Sequence, residues 1–185
     1  MERGWHSIGK WRLTQLDTIQ TTLDRRSIRR YKRDPIPAEH LRQILESGRQ
    51  APSAANRQPW HFIIVGDPEL RRQLAEACGG QTWMADAAYT LVAVGHPGVT
   101  EKWYKVDVAI AVENMVLVAR SLGYGTCWIG AFTPAKVKEL CSVPPESEVV
   151  VCLPLGVPDE APSARPRKGW DEVFSANGYG EPLEL

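Results

Sequence analysis

Six cations fall within nine residues at Arg25-Arg26-Ser27-Ile28-Arg29-Arg30-Tyr31-Lys32-Arg33. Ile28 and Tyr31 interrupt the run as buried anchors would. The flanking guanidiniums and the Ser27 hydroxyl are then free to close on a compact anion such as a terminal phosphate. A solvated helix face has the same composition. A nucleic-acid patch is a third reading, although no other part of the chain is basic enough to extend such a footprint. The second stretch with chemistry in it is Ala51-Pro52-Ser53-Ala54-Ala55-Asn56-Arg57-Gln58-Pro59-Trp60-His61-Phe62. Pro52 removes a donor, and Ser53 and Asn56 can bond nearby backbone, which is turn chemistry. The amides of Asn56 and Gln58 and the hydroxyl of Ser53 can hydrogen-bond without charge, as the reading of a polar planar ring requires. An ordinary surface connection would also be polar.

The elements that must hold these stretches can be read from periodicity. Leu16, Ile19 and Leu23 predict a first helix over residues 14–26. Asp34-Pro35-Ile36-Pro37 breaks the chain, and Leu41, Ile44, Leu45 and Gly48 mark one face of a second helix over 38–50, which delivers the Ala51 loop. An aromatic and β-branched strand follows over 60–65, and Asp67-Pro68 opens a helix with Leu70, Leu74 and Cys78 inward. A strand is expected over 88–94, then a short connector, Gly95 to Lys105, whose Trp103 and Tyr104 could flank a substrate pocket or merely connect. In Val106 to Leu122 the polar residues Asp107, Glu113, Asn114, Arg120 and Ser121 leave one narrow wet stripe. A helix so apolar is a central spine or a subunit interface, and the second implies a homodimer. Residues 126–129 read as a short strand, Thr133-Pro134 as a helix start, and Val149 to Leu155 as an apolar strand. Beyond it, Pro158, Pro162 and Pro166 stiffen an extended tether carrying Arg165, Arg167 and Lys168.

Composition excludes several classes. The 22 basic and 22 acidic residues cancel, so no global field draws the chain to nucleic acid or anionic lipid. No apolar run approaches the roughly 20 residues of a membrane helix. Met1 to Gln20 lacks the apolar core of a secretory signal, although Trp5 and Trp11 predict packing on the domain, so the expected location is the cytoplasm. Cys78, Cys127, Cys141 and Cys152 are widely spaced in apolar surroundings and read as buried reduced thiols. With neither HExxH nor CxxC, no metal site is expected.

Four patches then stand in one order: RRSIRRY, APSAANRQPWHF, LGYGTCWIGAF and RPRKGWDEVF. This ordered set resembles the nitroreductase family of FMN-dependent oxidoreductases over roughly residues 23–180. The resemblance implies an α+β fold of three-layer α/β/α character, its mixed central sheet flanked by helices, in an intertwined homodimer with FMN sites at the interface. Residues 1–22 would be an N-terminal extension packed on that domain, and 181–185 a tail. By the same likeness Arg25, Arg26, Ser27 and Arg29 hold the FMN phosphate and ribityl side, with Arg29 also near the pyrimidine edge, and Arg165 and Arg167 close on the phosphate. Pro52, Ser53, Ala54, Asn56 and Gln58 reach the flavin from the partner subunit. Trp128, Ile129, Gly130 and Ala131 lie along the ring, with a main-chain amide at N5, and Gln81 contacts it.

The implied activity passes hydride from NADH or NADPH through flavin N5 to nitroaromatic, quinone-like or other conjugated acceptors, in a ping-pong scheme through one shared pocket. Such transfer rests on positioning, and no side chain is nominated as acid or base. A guanidinium at the N1 and C2 carbonyl edge would favour the reduced flavin, the role expected of Arg29. A flavin-binding or flavin-delivery protein with little turnover, and a flavin-dependent dehalogenase or flavin-fragmenting enzyme, are the competing readings. The chain departs from larger members in its connector, since Gly95 to Lys105 replaces their lid helices. It has RRSIR where flavin-fragmenting relatives resemble RRDVR, and Gly169 where proline is frequent.

Overall fold

The computed structural model describes residues 18–185. Trp5, Trp11 and residues 14–17 of the expected first helix lie outside the described residues. The described helices are α1 (Thr18–Asp24), α2 (Ala38–Arg49), α3 (Pro68–Ala77), α4 (Tyr104–Ser121) and α5 (Pro134–Leu140). The strands are β1 (Tyr31–Lys32), β2 (Trp60–Val65), β3 (Tyr89–Gly95), β4 (Gly125–Thr126) and β5 (Glu148–Pro158). Helix α1 ends at Asp24, before the expected residue 26, because the Arg26 guanidinium turns back to cap it. One of its terminal nitrogens donates to the carbonyls of Leu23 at 2.7 Å and Arg25 at 2.9 Å. The start of α3 is as expected, with the Asp67 carboxylate accepting the Leu70 N–H at 2.7 Å and Pro68 in the first turn.

The sheet runs β1-β5-β3-β2, with β4 also on β5, and each of these pairings is antiparallel. It is mixed only through a parallel bridge between Ser27 and Thr126. Strand alternation sorts the core into two layers. Leu91, Ala93, Val151, Leu153 and Leu155 point to the face covered by α2 and α4, where Ile44, Val108, Val112, Met115 and Val116 pack. Val92, Val94 and Cys152 point to the opposite face, under Leu74, Ala75 and Val137 of α3 and α5. The result is the expected α/β/α sandwich. Helices α2 and α4 meet most closely at Gly48, where an added Cβ would lie 1.9 Å from Met115 Cε.

Two further elements differ from expectation. The strand predicted over 126–129 is broken: Gly125 and Thr126 pair with Gly156 and Leu155, and Ile129 rejoins β5 at Cys152. That register puts Cys127 opposite Pro154, at a position where two residues exchange both backbone bonds. Proline has no N–H to give, so the ladder opens there. The wet stripe expected along α4 is not wet at its start either. Asp107 is 2 % exposed, and Asn114 donates to the Ser47 carbonyl. The exposed residues of this helix instead include the apolar Val106 and Ile110 beside Lys105, and Val99 and Trp103 are exposed in the segment before it.

Candidate functional site

Three segments carry the expected site residues. The first follows α1. Ile28 and Tyr31 are both buried, as anchors should be, and the Tyr31 hydroxyl donates to the Ile28 carbonyl at 2.8 Å. The Ile28 N–H bonds to the Thr126 carbonyl at 2.9 Å, and Gly125 leaves room for the Ile28 side chain. With the apolar residues inside, Arg25, Arg26, Ser27 and Arg29 line a cleft of about 250 Å³ whose far wall is Pro162, Ser163, Arg165 and Arg167. Among the described residues no carboxylate lines this cleft, whereas Asp24 and Glu160 line the adjoining one that shares Arg25 and Arg26. The late tether is drawn alongside by a local staple: the Arg29 N–H donates to Glu160 at 2.5 Å, Arg30 Nε to the Asp159 carbonyl at 2.7 Å, and the Asp159 N–H back to Arg30 at 2.9 Å. The remaining cations point elsewhere, Arg33 to Asp86 at 2.8 Å for example. Burial pushes the nearby Cys127 thiol up, opposed by the Arg29 charge and the Ser27 hydroxyl, so it stays protonated at neutral pH.

The second segment is the loop after α2. Ala55, Asn56 and Gln58 hold φ of 50°, 54° and 50°, a left-handed conformation that costs roughly 1–2 kcal/mol for each non-glycine residue. Local bonds stabilise it: Ser53 Oγ accepts the Gln58 N–H at 2.9 Å, and the Asn56 N–H reaches the Ser53 carbonyl at 2.9 Å. The buried Asp107 carboxylate of α4 accepts the Ala54 N–H through both oxygens, at 3.2 and 3.3 Å. The amides of Asn56 and Gln58 are thus carried on an over-determined backbone at an exposed position. Neither this loop nor Pro52 lines the arginine cleft of the same chain.

The third segment is Trp128 to Ala131, which follows the opening of the β4–β5 ladder, touches the sheet again at Ile129 and then leaves it. It passes over the turn after α3, where a Cβ on Gly79 would touch the Ala131 carbonyl at 3.8 Å. The Gln81 amide nitrogen is bound to the Cys78 carbonyl at 2.8 Å, so it stabilises that turn. The Trp128 indole N–H donates to Glu113 Oε2 at 3.1 Å, and Glu113 Oε1 lies 4.0 Å from Arg25 Nε. In the connector, Trp103 is exposed, whereas Tyr104 is buried with its hydroxyl donated to Glu148 at 2.7 Å. Tyr104 therefore anchors the first turn of α4, while the exposed Trp103 ring is faced by Lys102 Nζ, 5.4 Å from its centroid. Among the described residues, no group of His, Cys, Asp or Glu is arranged to hold a metal ion.

The model of the family described as "Nitroreductase family" matches residues 22–97 and 77–157. The chain belongs to the nitroreductase family. It is 33% identical over 181 residues to an NADPH-flavin oxidoreductase of Vibrio harveyi, covering 89% of this chain and 75% of the relative. It is 31% identical over 184 residues to an NADH dehydrogenase of Thermus thermophilus, covering 80% and 90%. Among solved structures, the NADPH:FMN oxidoreductase from Vibrio harveyi complexed with NAD+ superposes with a TM-score of 0.82 at 32% identity, covering 91% of this chain and 79% of that one. The nitroreductase match ends at residue 157, so the arginines of the late tether lie beyond it.

Residue reading alone missed Asp107, Glu113 and Glu160. Their partners are 53, 15 and 131 residues away in the chain, and helical periodicity carries no signal of them.

Proposed function

We propose that the chain is an FMN-dependent NAD(P)H oxidoreductase acting on nitroaromatic, quinone-like or other conjugated acceptors. The observation that carries this reading is the meeting of Arg25, Arg26, Ser27 and Arg29 with Arg165 and Arg167 around one cleft. Forked guanidiniums and a hydroxyl are the donor set a phosphate monoester needs, so the residues present fit the phosphate end of FMN. When bound, FMN supplies the two-electron chemistry, accepting hydride from the nicotinamide and handing it to the acceptor.

The chain's own residues bind and orient. The arginines hold the phosphate while the Asn56 and Gln58 amides, carried on a pinned loop, bond the polar edge of the ring. The 128–131 segment offers main-chain amides beside it. No acid or base is needed from the protein, because donor and acceptor are brought in turn to one position. Asn56 and Gln58 serve the site of the partner subunit in a homodimer. Two facts support this: the loop is separate from its own chain's arginine cleft, and the helix that supplies its Asp107 anchor exposes the apolar Val106 and Ile110. A cytoplasmic location is supported by four free cysteines, three of them buried.

An absorbance spectrum tests the reading directly. Purified protein is expected to be yellow and to bleach on anaerobic addition of NADH or NADPH. Protein that takes up no FMN would sink the flavin reading, and bound FMN that neither nicotinamide reduces would favour a flavin-delivery role. Sedimentation is expected to show a dimer, and a flavin-loaded monomer would remove the shared site.

A further inference from the structure

Glu113 sits on α4 between two parts of the site and has no role in the account above. Its two carboxylate oxygens face different segments: Oε2 accepts the Trp128 indole N–H at 3.1 Å, and Oε1 lies 4.0 Å from Arg25 Nε. Trp128 begins the segment assigned to the flavin ring, and Arg25 lines the phosphate cleft. We propose that Glu113 is a positioning residue that couples phosphate occupancy of the arginine cleft to the placement of Trp128 at the ring. This rests on the flavin reading and goes beyond it.

The physical basis is the rigidity of a carboxylate. Its oxygens are coplanar, so a shift at one is felt at the other. At 4.0 Å the contact with Arg25 is an ion pair without a hydrogen bond, and the Arg25 N–H groups stay available to an incoming anion. Arg26 is less free to substitute, since one of its terminal nitrogens serves the carbonyls of Leu23 and Arg25. A phosphate in the cleft draws the Arg25 charge toward itself. Glu113 then loses part of its counter-charge, and its charge-assisted bond to the indole tightens. An exposed ion pair without this linkage would be worth little and would transmit nothing.

The test compares FMN with riboflavin, which has the same ring and no phosphate. The indole N–H resonance of Trp128, assigned by its loss in Trp128→Phe, is recorded in protein loaded with each. Its position is expected to differ between the two in the natural sequence, and that difference is expected to collapse in Glu113→Gln, which removes the charge and keeps an acceptor for the indole. Trp128→Phe is further expected to lower the preference for FMN over riboflavin by more than about twofold, the lower end of coupling between residues that share a partner, and to have no such effect in the Glu113→Gln background. If both flavins bind and the Trp128 resonance is the same with each, the inference is overturned while the functional reading stands. Binding of neither flavin overturns both. Glu113→Asp, which keeps the charge and shortens the reach, serves as a second variant should Glu113→Gln fail to fold, and a difference between the flavins that survives in both would overturn the inference.

Discussion

The arginine cleft and the amide loop are built by opposite means. The cleft gathers guanidiniums from two distant segments, mostly exposed, with the late tether held by a staple between residues 29–30 and 159–160. The loop gathers neutral amides from one short segment whose backbone is fixed by left-handed residues and by a buried carboxylate. A phosphate dianion is satisfied from many directions, so several mobile charges suffice. A ring edge demands donors and acceptors at fixed angles, so the backbone beneath them is constrained at a conformational cost. Charge tolerates looseness, and neutral recognition requires a scaffold.

The contrast can be broken or sharpened by substitution. Arg167→Ala and Arg26→Ala are each expected to weaken FMN retention by about 1.5–3 kcal/mol, the range for hydrogen bonds to charged groups, with little change in melting temperature for Arg167→Ala and a small drop for Arg26→Ala, which also uncaps α1. Equilibrium dialysis against FMN measures this, and unchanged affinity in both would end the phosphate assignment. Asp107→Leu should do the reverse of a cleft mutation, lowering stability by about 1–3 kcal/mol through an unpaired Ala54 amide, with ring binding lost as the loop relaxes. Riboflavin affinity and urea denaturation report both effects, and a fully stable variant would show that the loop holds itself. Ala55→Gly releases left-handed strain at the cost of backbone entropy, so a gain of about 1 kcal/mol or less is expected in thermal unfolding.

The smallest effect is a pH dependence at the start of α4, the turn that carries Asp107. The Tyr104 hydroxyl holds the exposed Glu148 carboxyl below its usual range, helped by Lys105. A depressed carboxylate contributes stability above the ordinary glutamate pKa and loses it as pH falls through the lowered value. Tyr104→Phe should therefore flatten the acid limb of a stability-against-pH curve slightly. An unchanged acid limb would mean that this contact does not brace the turn.

Much of this architecture could be read before any coordinates. Strand β2, helix α2 and the Asp67-Pro68 start of α3 follow from patterns confined to a few residues, and each stands where periodicity put it. The arginine cluster was legible because Ile28 and Tyr31 punctuate it in a way that separates inside from outside. Asp107 was not, since a pattern of polar residues on a helix cannot reveal that a backbone amide arrives to meet one of them. The break after Thr126 needed the register of β5, which sets Pro154 against Cys127. Glu113 joins Trp128 to Arg25 through side-chain geometry alone.

The tight crossing of α2 and α4 at Gly48 has a consequence for how such a protein changes. The thickness of that seam is set by one thioether, Met115, pressed against a residue with no side chain. Helix α2 ends one residue further on, at Arg49, and the loop that carries Asn56 and Gln58 follows. Trading Met115 for a longer or shorter apolar residue would pivot α2 on its neighbour and swing the amides at its end. Under the proposed function, the angle at which they meet the flavin would thus be retuned from deep in the core, with every contacting residue left as it is.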